Sequence, residues 1–154
     1  MKLATLCYLE KDDSYLMLHR NKRENDMHFG KWIGLGGKIE PGESPEECVI
    51  REVCEESGLT VYNPILKGIM TFNEFSNDKW YVFLFTSREF SGELKTCDEG
   101  ELAWVRKDSL DSLPMHDGDR LFMKWMTECY GVFSVKFNYE EAGLKNYEIV
   151  WHMR

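Results

Sequence analysis

At 154 residues, with 43% hydrophobic and 14% aromatic side chains, the chain suits one folded domain spanning 1–154 and is too apolar to be disordered. Asp and Glu number 27 against 19 Lys and Arg, and the net charge of −8 argues against a nucleic-acid polymer or an anionic membrane as partner. The five cysteines (Cys7, Cys48, Cys54, Cys97 and Cys129) are odd in number and lack metal-ligand or CxxC spacing, which suits a reducing cytoplasm.

In chain order, Met1-Lys2 leads into an amphipathic run interrupted by Glu10, so no secretory signal is expected, and no apolar run is long enough to span a bilayer. Leu3 to Leu9 and Ser14 to His19 are apolar stretches around the turn-like Lys11-Asp12-Asp13, which predicts a hairpin. Asn21 to Gly30 reads as a polar loop, followed by Trp32 to Gly36. Pro41-Gly42 is a turn dipeptide, after which Ser44 stands as an N-cap, Pro45 at N1 and Glu47 at N3 of a capping box. Gly58 supplies the C-terminal stop, so a helix is predicted from about Pro45 to Ser57, buried along Cys48, Val49 and Val53. Pro64 to Phe75 and Lys79 to Thr86 predict two strands around Ser76-Asn77-Asp78, and Glu101 to Arg106 another. Asp117 or Asp119 starts a second helix with Leu121, Phe122, Trp125 and Met126 on its apolar face. Gly131 to Tyr139 and Asn146 to Met153 predict a terminal hairpin. Strands outnumber two well-separated helices, which predicts an α/β fold of the α/β/α sandwich kind, with a mixed sheet.

The first helix carries the chemistry. Gly37, Glu43, Arg51, Glu52, Glu55, Glu56 and Gly58 fall at the spacing G-x5-E-x7-R-E-x-x-E-E-x-G. Glu52, Glu55 and Glu56 are i, i+3 and i+4, so their carboxylates converge, at a cost of roughly 0.2–0.5 kcal/mol per like-charged pair in an isolated helix. A hard divalent ion bound through oxygens reverses that sign. A solvated acidic face is the plain alternative, and it does not account for the fixed Gly, Glu and Arg positions around the cluster.

This spacing resembles the signature of the Nudix hydrolases, which cleave a nucleoside diphosphate linked to another moiety. Trp32 to Lys38, the aromatic strand near Phe72, Asp98-Glu99 and the stretch from Met115 to Phe122 are similar to the MutT-type branch, so the resemblance covers nearly the whole chain. It implies hydrolysis of 8-oxo-dGTP or related oxidised purine dNTPs to the monophosphate and pyrophosphate, with a small nucleoside triphosphate as partner and a monomer or homodimer as the acting species. The implied Mg²⁺ or Mn²⁺ ligands are Glu52, Glu55, Glu56, Glu99 and the carbonyl of Gly37. Glu52 is the first candidate to activate the attacking water, with Glu99 and Glu56 as rivals. Arg51 pairs with Glu43 to hold the loop against the helix. Lys38 and Arg20 match positions that neutralise phosphate, although Lys22 and Arg23 share the basic cluster with Arg20.

For the base, Phe72, Trp80 and Phe29 are stacking candidates, and Asp117 and Asp119 fall where the animal oxidised-purine enzymes carry edge-reading acids. Ile33 departs from that pattern, because those enzymes have an amide there and Ile33 cannot hydrogen-bond a base edge. His19, His28, His116 and His152 lack ligand spacing and read as structural or solvated. Between Pro64 and Pro114 there is no proline of the kind ADP-ribose hydrolases carry, and Glu74 to Asn77 lacks the tyrosine of dinucleoside polyphosphate hydrolases. A non-catalytic nucleotide-binding module on the same fold is a further alternative, which the complete set of glutamates disfavours.

Overall fold

The computed structural model describes residues 1–153. Ten strands and two helices follow the order β1 (Lys2–Lys11), β2 (Ser14–His19), β3 (Trp32–Ile33), α1 (Pro45–Ser57), β4 (Thr60–Tyr62), β5 (Ile65–Phe75), β6 (Asp78–Ser87), β7 (Glu89–Ser91), β8 (Glu101–Arg106), α2 (Asp117–Glu128), β9 (Val132–Glu140) and β10 (Gly143–Met153). A 3₁₀ segment at Lys107–Ser112 links β8 towards α2.

The main sheet has the order β10-β9-β5-β6-β1-β2-β3, with β8 on β2. It is mixed: β1 with β6 and β5 with β9 are parallel, and the remaining pairs are antiparallel. β1 turns into β2 through Asp12 and Asp13, both at positive φ (50° and 59°), the conformation a tight two-residue hairpin loop demands. The two strands stay paired only at Glu10–Tyr15 and Lys11–Ser14, and then diverge. The chain from Trp32 to Ile39 fills the opening. Its first two residues pair with Leu18 and His19 of β2, and Leu35, Gly37 and Ile39 then bond to Cys7, Thr5 and Leu3 of β1. That wedge delivers the glycine loop to the start of α1.

Strand alternation sends successive residues to opposite faces, and β1 and β2 feed two cores. Tyr8, Tyr15 and Met17 join Met70, Leu84, Phe122, Met126 and Phe137 beneath α2. Cys7, Leu9, Leu16 and Leu18 join Val49, Val53 and Phe85 beneath α1. The α/β/α arrangement expected from the sequence is therefore present. α1 begins as its capping box dictates: the Glu47 amide donates to Ser44 Oγ at 3.1 Å, and the Ser44 amide donates to Glu47 Oε1 at 2.9 Å. Gly58 ends it in the left-handed region at φ 82°, its N–H donating to the Cys54 carbonyl.

Departures from the sequence reading are local. β10 begins at Gly143 rather than Asn146, and the short antiparallel pair β4 and β7 was not anticipated, because three-residue strands carry no readable alternation. All five cysteines are free thiols, and among the described residues no helix is long and apolar enough to cross a membrane.

Candidate active site

α1 presents Glu52, Glu55 and Glu56 to the glycine loop, and Arg51 organises them. Its Nε and Nη2 donate to the two Glu43 carboxylate oxygens at 2.7 and 2.9 Å, and Nη2 also donates to the Lys38 carbonyl at 3.1 Å. Its Nη1 reaches Glu52 Oε1 at 2.8 Å and Glu55 Oε2 at 3.4 Å. A planar guanidinium can serve loop, helix and acids together in a way a lysine cannot. This pairing holds the Glu43 carboxyl down at about 2 and pushes the Arg51 guanidinium further up.

The glycines are required by approach distance. A β-carbon at Gly37 would stand 2.6 Å from the Glu52 carboxyl, and one at Gly36 would stand 2.0 Å from the Thr5 carbonyl oxygen. The Gly36 amide donates to Glu56 Oε1 at 2.8 Å. The Gly37 carbonyl, expected among the metal ligands, instead accepts the Thr5 amide at 2.9 Å within the sheet ladder, as the Leu35 carbonyl accepts Cys7. Because carbonyls alternate along an extended segment, that of Gly36 points away from β1.

Burial raises the Glu56 carboxyl to about 9 against the lowering effect of the Gly36 amide, and the negative charges of Glu99 and Glu52 push it the same way. Glu52 is also raised, chiefly by burial, with Arg51 opposing. Two carboxyls thus carry a penalty for ionising next to one another, and one of them, Glu52, packs directly against Gly37. Such a set of hard oxygen donors fits a hard divalent cation. No three acidic, histidine or cysteine side chains among the described residues are already closed about one point. The reason is visible in the contacts: Arg51 holds Glu52 and Glu55, and the Gly36 amide holds Glu56.

These acids line a cavity of about 640 Å³. Arg20, Arg23, Lys38 and Glu99 line it too. Arg20 is fixed by Asp26 (Nε to Oδ2, 2.7 Å) and reaches Glu99 Oε2 at 3.3 Å, whereas Lys38 and Arg23 have no ion-pair partner among the described residues. Phe72, Phe75 and Trp80 add an aromatic wall to the same cavity. Lys38 Nζ lies 5.9 Å from the Trp80 ring centroid, so a cation and an aromatic ring of the cavity wall adjoin. Ile33 is buried in the wall, and Asp119, which lines the same cavity, is 6% exposed with no hydrogen-bond or ion-pair partner among the described residues. Burial pushes its carboxyl up to about 7.

The structure therefore gathers Glu52, Glu55, Glu56, Glu99, Arg20, Lys38, Phe72, Trp80 and Asp119 around one cavity. Asp117 is a correction. Its Oδ2 accepts the Leu144 amide at 3.0 Å, tying the start of α2 to the start of β10, and it lines a separate surface hollow. As first residue of α2 its side chain points to that hairpin while Asp119, two positions on, turns inward. Phe29 is also outside the cavity and 42% exposed. The sequence reading missed Phe75 and the histidines His28 and His116, which line the cavity and hydrogen-bond to each other at 2.8 Å. Nothing local marks a contact between residues 88 positions apart.

A mixed sheet between two helices, with a glycine loop pressed against a glutamate-rich helix beside a cation-lined cleft, defines a hydrolase of the Nudix class. The family model described as the NUDIX domain matches residues 2–126, and the chain belongs to that family. An uncharacterized Nudix hydrolase, YvcI, from Bacillus subtilis (strain 168) is 34% identical over 144 residues, covering 90% of this chain and 87% of that protein. The oxidized purine nucleoside triphosphate hydrolase of Danio rerio is 33% identical over 128 residues, covering 82% of this chain and 80% of that protein. A MutT protein from Bacillus halodurans superposes with a TM-score of 0.85 at 35% identity, covering 97% of both chains. The chain is thus a MutT-type Nudix hydrolase, a class that acts on pyrophosphate bonds of small nucleotide substrates and generally needs a divalent metal, usually Mg²⁺.

Proposed function

We propose that this protein is a Mg²⁺-dependent nucleoside triphosphate diphosphatase that converts 8-oxo-dGTP, or a related oxidised purine dNTP, to the monophosphate and pyrophosphate. The observation that carries the reading is the make-up of one cleft, which is lined by acids and cations together with aromatics and a buried, unpartnered acid. The triphosphate lies against the charged residues and the base against the aromatic ones, which make up the base end of the cleft.

Glu52, Glu55, Glu56 and Glu99 would hold the cation, which when bound supplies positive charge to the phosphate oxygens and makes a bound water more acidic. The chain's own groups do the remainder. Lys38, Arg20 and Arg23 offset phosphate charge, with Arg20 pre-positioned by Asp26. Glu52 accepts the proton of the attacking water. It lines the cleft and is oriented through one oxygen by Arg51, and the second oxygen has no partner among the described residues. Glu56 is committed to the Gly36 amide, and Glu99 to Arg20. Phe72 and Trp80 stack on the base, and Asp119 meets its edge, where the elevated pKa lets it offer either a proton or a lone pair near neutral pH. We take 1–154 as a single Nudix domain acting in the cytoplasm, a reading that the contribution of β9 and β10 to the main sheet and the five free thiols support.

The test is a panel of canonical and oxidised dNTPs, ADP-ribose and dinucleoside polyphosphates assayed with Mg²⁺. The account expects pyrophosphate release with the highest kcat/KM on 8-oxo-dGTP. Equal kcat/KM for dGTP and its 8-oxo form, or a preference for ADP-ribose, overturns it.

A further inference from the structure

We propose that the hydrogen-bonded pair His28–His116 is a specificity-determining element at the base end of the cleft, exchanging tautomers so that it accepts purine edges of either donor–acceptor order. This rests on the reading of the cleft given above, and it adds the class of substrate: 6-oxo and 6-amino oxidised purine triphosphates alike.

His28 comes from the polar loop after β2, and His116 immediately precedes α2. His28 Nδ1 and His116 Nε2 are 2.8 Å apart, and both residues line the cavity. Burial lowers each to about 4, so at neutral pH both rings are uncharged. Two neutral imidazoles carry two N–H protons on four nitrogens, and one proton lies in the hydrogen bond between them. The other sits on one of the two outer nitrogens. When His28 Nδ1 donates, His28 Nε2 is a bare acceptor and His116 Nδ1 a donor; when His116 Nε2 donates, those outer roles are reversed. The pair always offers one donor and one acceptor, and their places exchange without any change in charge.

Other observations set the pair apart from a simple loop fastening. Phe75, itself a cavity wall, meets the His116 ring edge-on at 4.9 Å and lies along the His28 ring at 6.2 Å, so one aromatic packs against both imidazoles. His116 is the N-cap residue of α2, yet its side chain makes no capping hydrogen bond. Ser, Thr, Asp or Asn in that position would stabilise the helix, so the helix forgoes its cap while the ring turns to His28. Ile33 leaves its part of the wall without a hydrogen-bonding group, so polar recognition of the base falls to other groups of the cavity, among them Asp119, the histidines and the Trp80 indole N–H, which has no hydrogen-bond partner among the described residues. A guanine-type edge presents an acceptor O6 beside a donor N1–H, and an adenine-type edge presents the reverse. A pair that can exchange roles satisfies both, whereas a fixed donor leaves one of them unpaired, at a cost of roughly tenfold or more in binding.

The experiment compares 8-oxo-dGTP with 8-oxo-dATP, which share the oxidised C8 and differ in edge order. Wild-type protein is expected to hydrolyse the two with kcat/KM values within about tenfold, and His28→Phe and His116→Phe are each expected to shift that ratio by roughly tenfold or more. Nitrogen-15 spectra of the histidine rings in complexes with the two monophosphates should show the outer proton on different nitrogens. An unmoved ratio in both variants, the same tautomer in both complexes, or a wild-type preference above about a hundredfold overturns the proposal. If the wild type releases pyrophosphate from neither nucleotide, the underlying reading of the cleft falls as well, which separates the two failures.

Discussion

Gly37 and Glu52 share a volume that admits no further atom: a β-carbon on residue 37 would lie 2.6 Å from the Glu52 carboxyl. The glycine loop and α1 are therefore fitted to each other at the glutamate assigned to water activation. Gly37→Ala should fold with nearly wild-type melting temperature yet displace the carboxylate. Displacements of about 1 Å can cost ~10²-fold, so kcat/KM should fall by about that factor in a steady-state assay. Unchanged kinetics would show that the close approach is not needed for turnover.

Glu52→Gln keeps the shape of the side chain and its bond to Arg51 while removing the basic oxygen. Loss of a general base typically lowers the rate by ~10²–10⁴-fold, and the fall should appear in kcat rather than in KM for the nucleotide. A rate within about threefold of wild type would move the role to Glu56 or Glu99.

The metal-free protein should lose stability as the solution becomes alkaline. Glu56 has a folded-state pKa of about 9, raised by burial and by its acidic neighbours. A carboxyl raised on folding contributes stability that is fully present below its unfolded value, near 4.3, and is lost as pH rises through the folded value. In EDTA the melting temperature should therefore decline from about pH 5 to about pH 9, and Glu56→Gln should flatten the slope. Added Mg²⁺ should flatten it too, because a cation favours the ionised form. Melting curves by differential scanning fluorimetry across that range decide it.

Asp119 obeys the same sign. Burial lifts it to about 7, so its contribution is intact in acid and disappears as pH rises through neutrality. Asp119→Asn imitates the protonated acid and should match the wild type near pH 4 while exceeding it by a few kcal/mol at about pH 9. Denaturant titrations at the two pH values measure this. The same variant should raise KM for 8-oxo-dGTP, separating substrate recognition from stability.

Residues governed by local rules were legible from the sequence. The capping box at Ser44 and Glu47 and the stop at Gly58 depend on spacing within a few turns of one helix, and they stand as expected; Glu52, Glu55 and Glu56 line one cavity without closing about one point. The apolar runs of β1 and β2 were legible as a hairpin, but neither their division between two cores nor the early divergence of the strands was, because runs this uniformly apolar show no alternation. What stayed hidden depends on distant partners. The orientation of the Gly37 carbonyl is set by Thr5 across the sheet, and the diversion of Asp117 to Leu144 by where the terminal hairpin docks. The contact of His28 with His116 joins two loops that only the closed sheet brings together. A bulge near Glu74, at φ 58°, turns Phe75 into the cleft, and no pattern in the strand announces it.

The most direct test of the central claim is a crystal soaked in Mn²⁺, examined by anomalous scattering at the manganese edge. The account predicts a peak about 2.2 Å from carboxylate oxygens of Glu52 and Glu56, with Glu55 or Glu99 completing the set. A map with no peak beside these acids, with and without bound nucleotide, would contradict it.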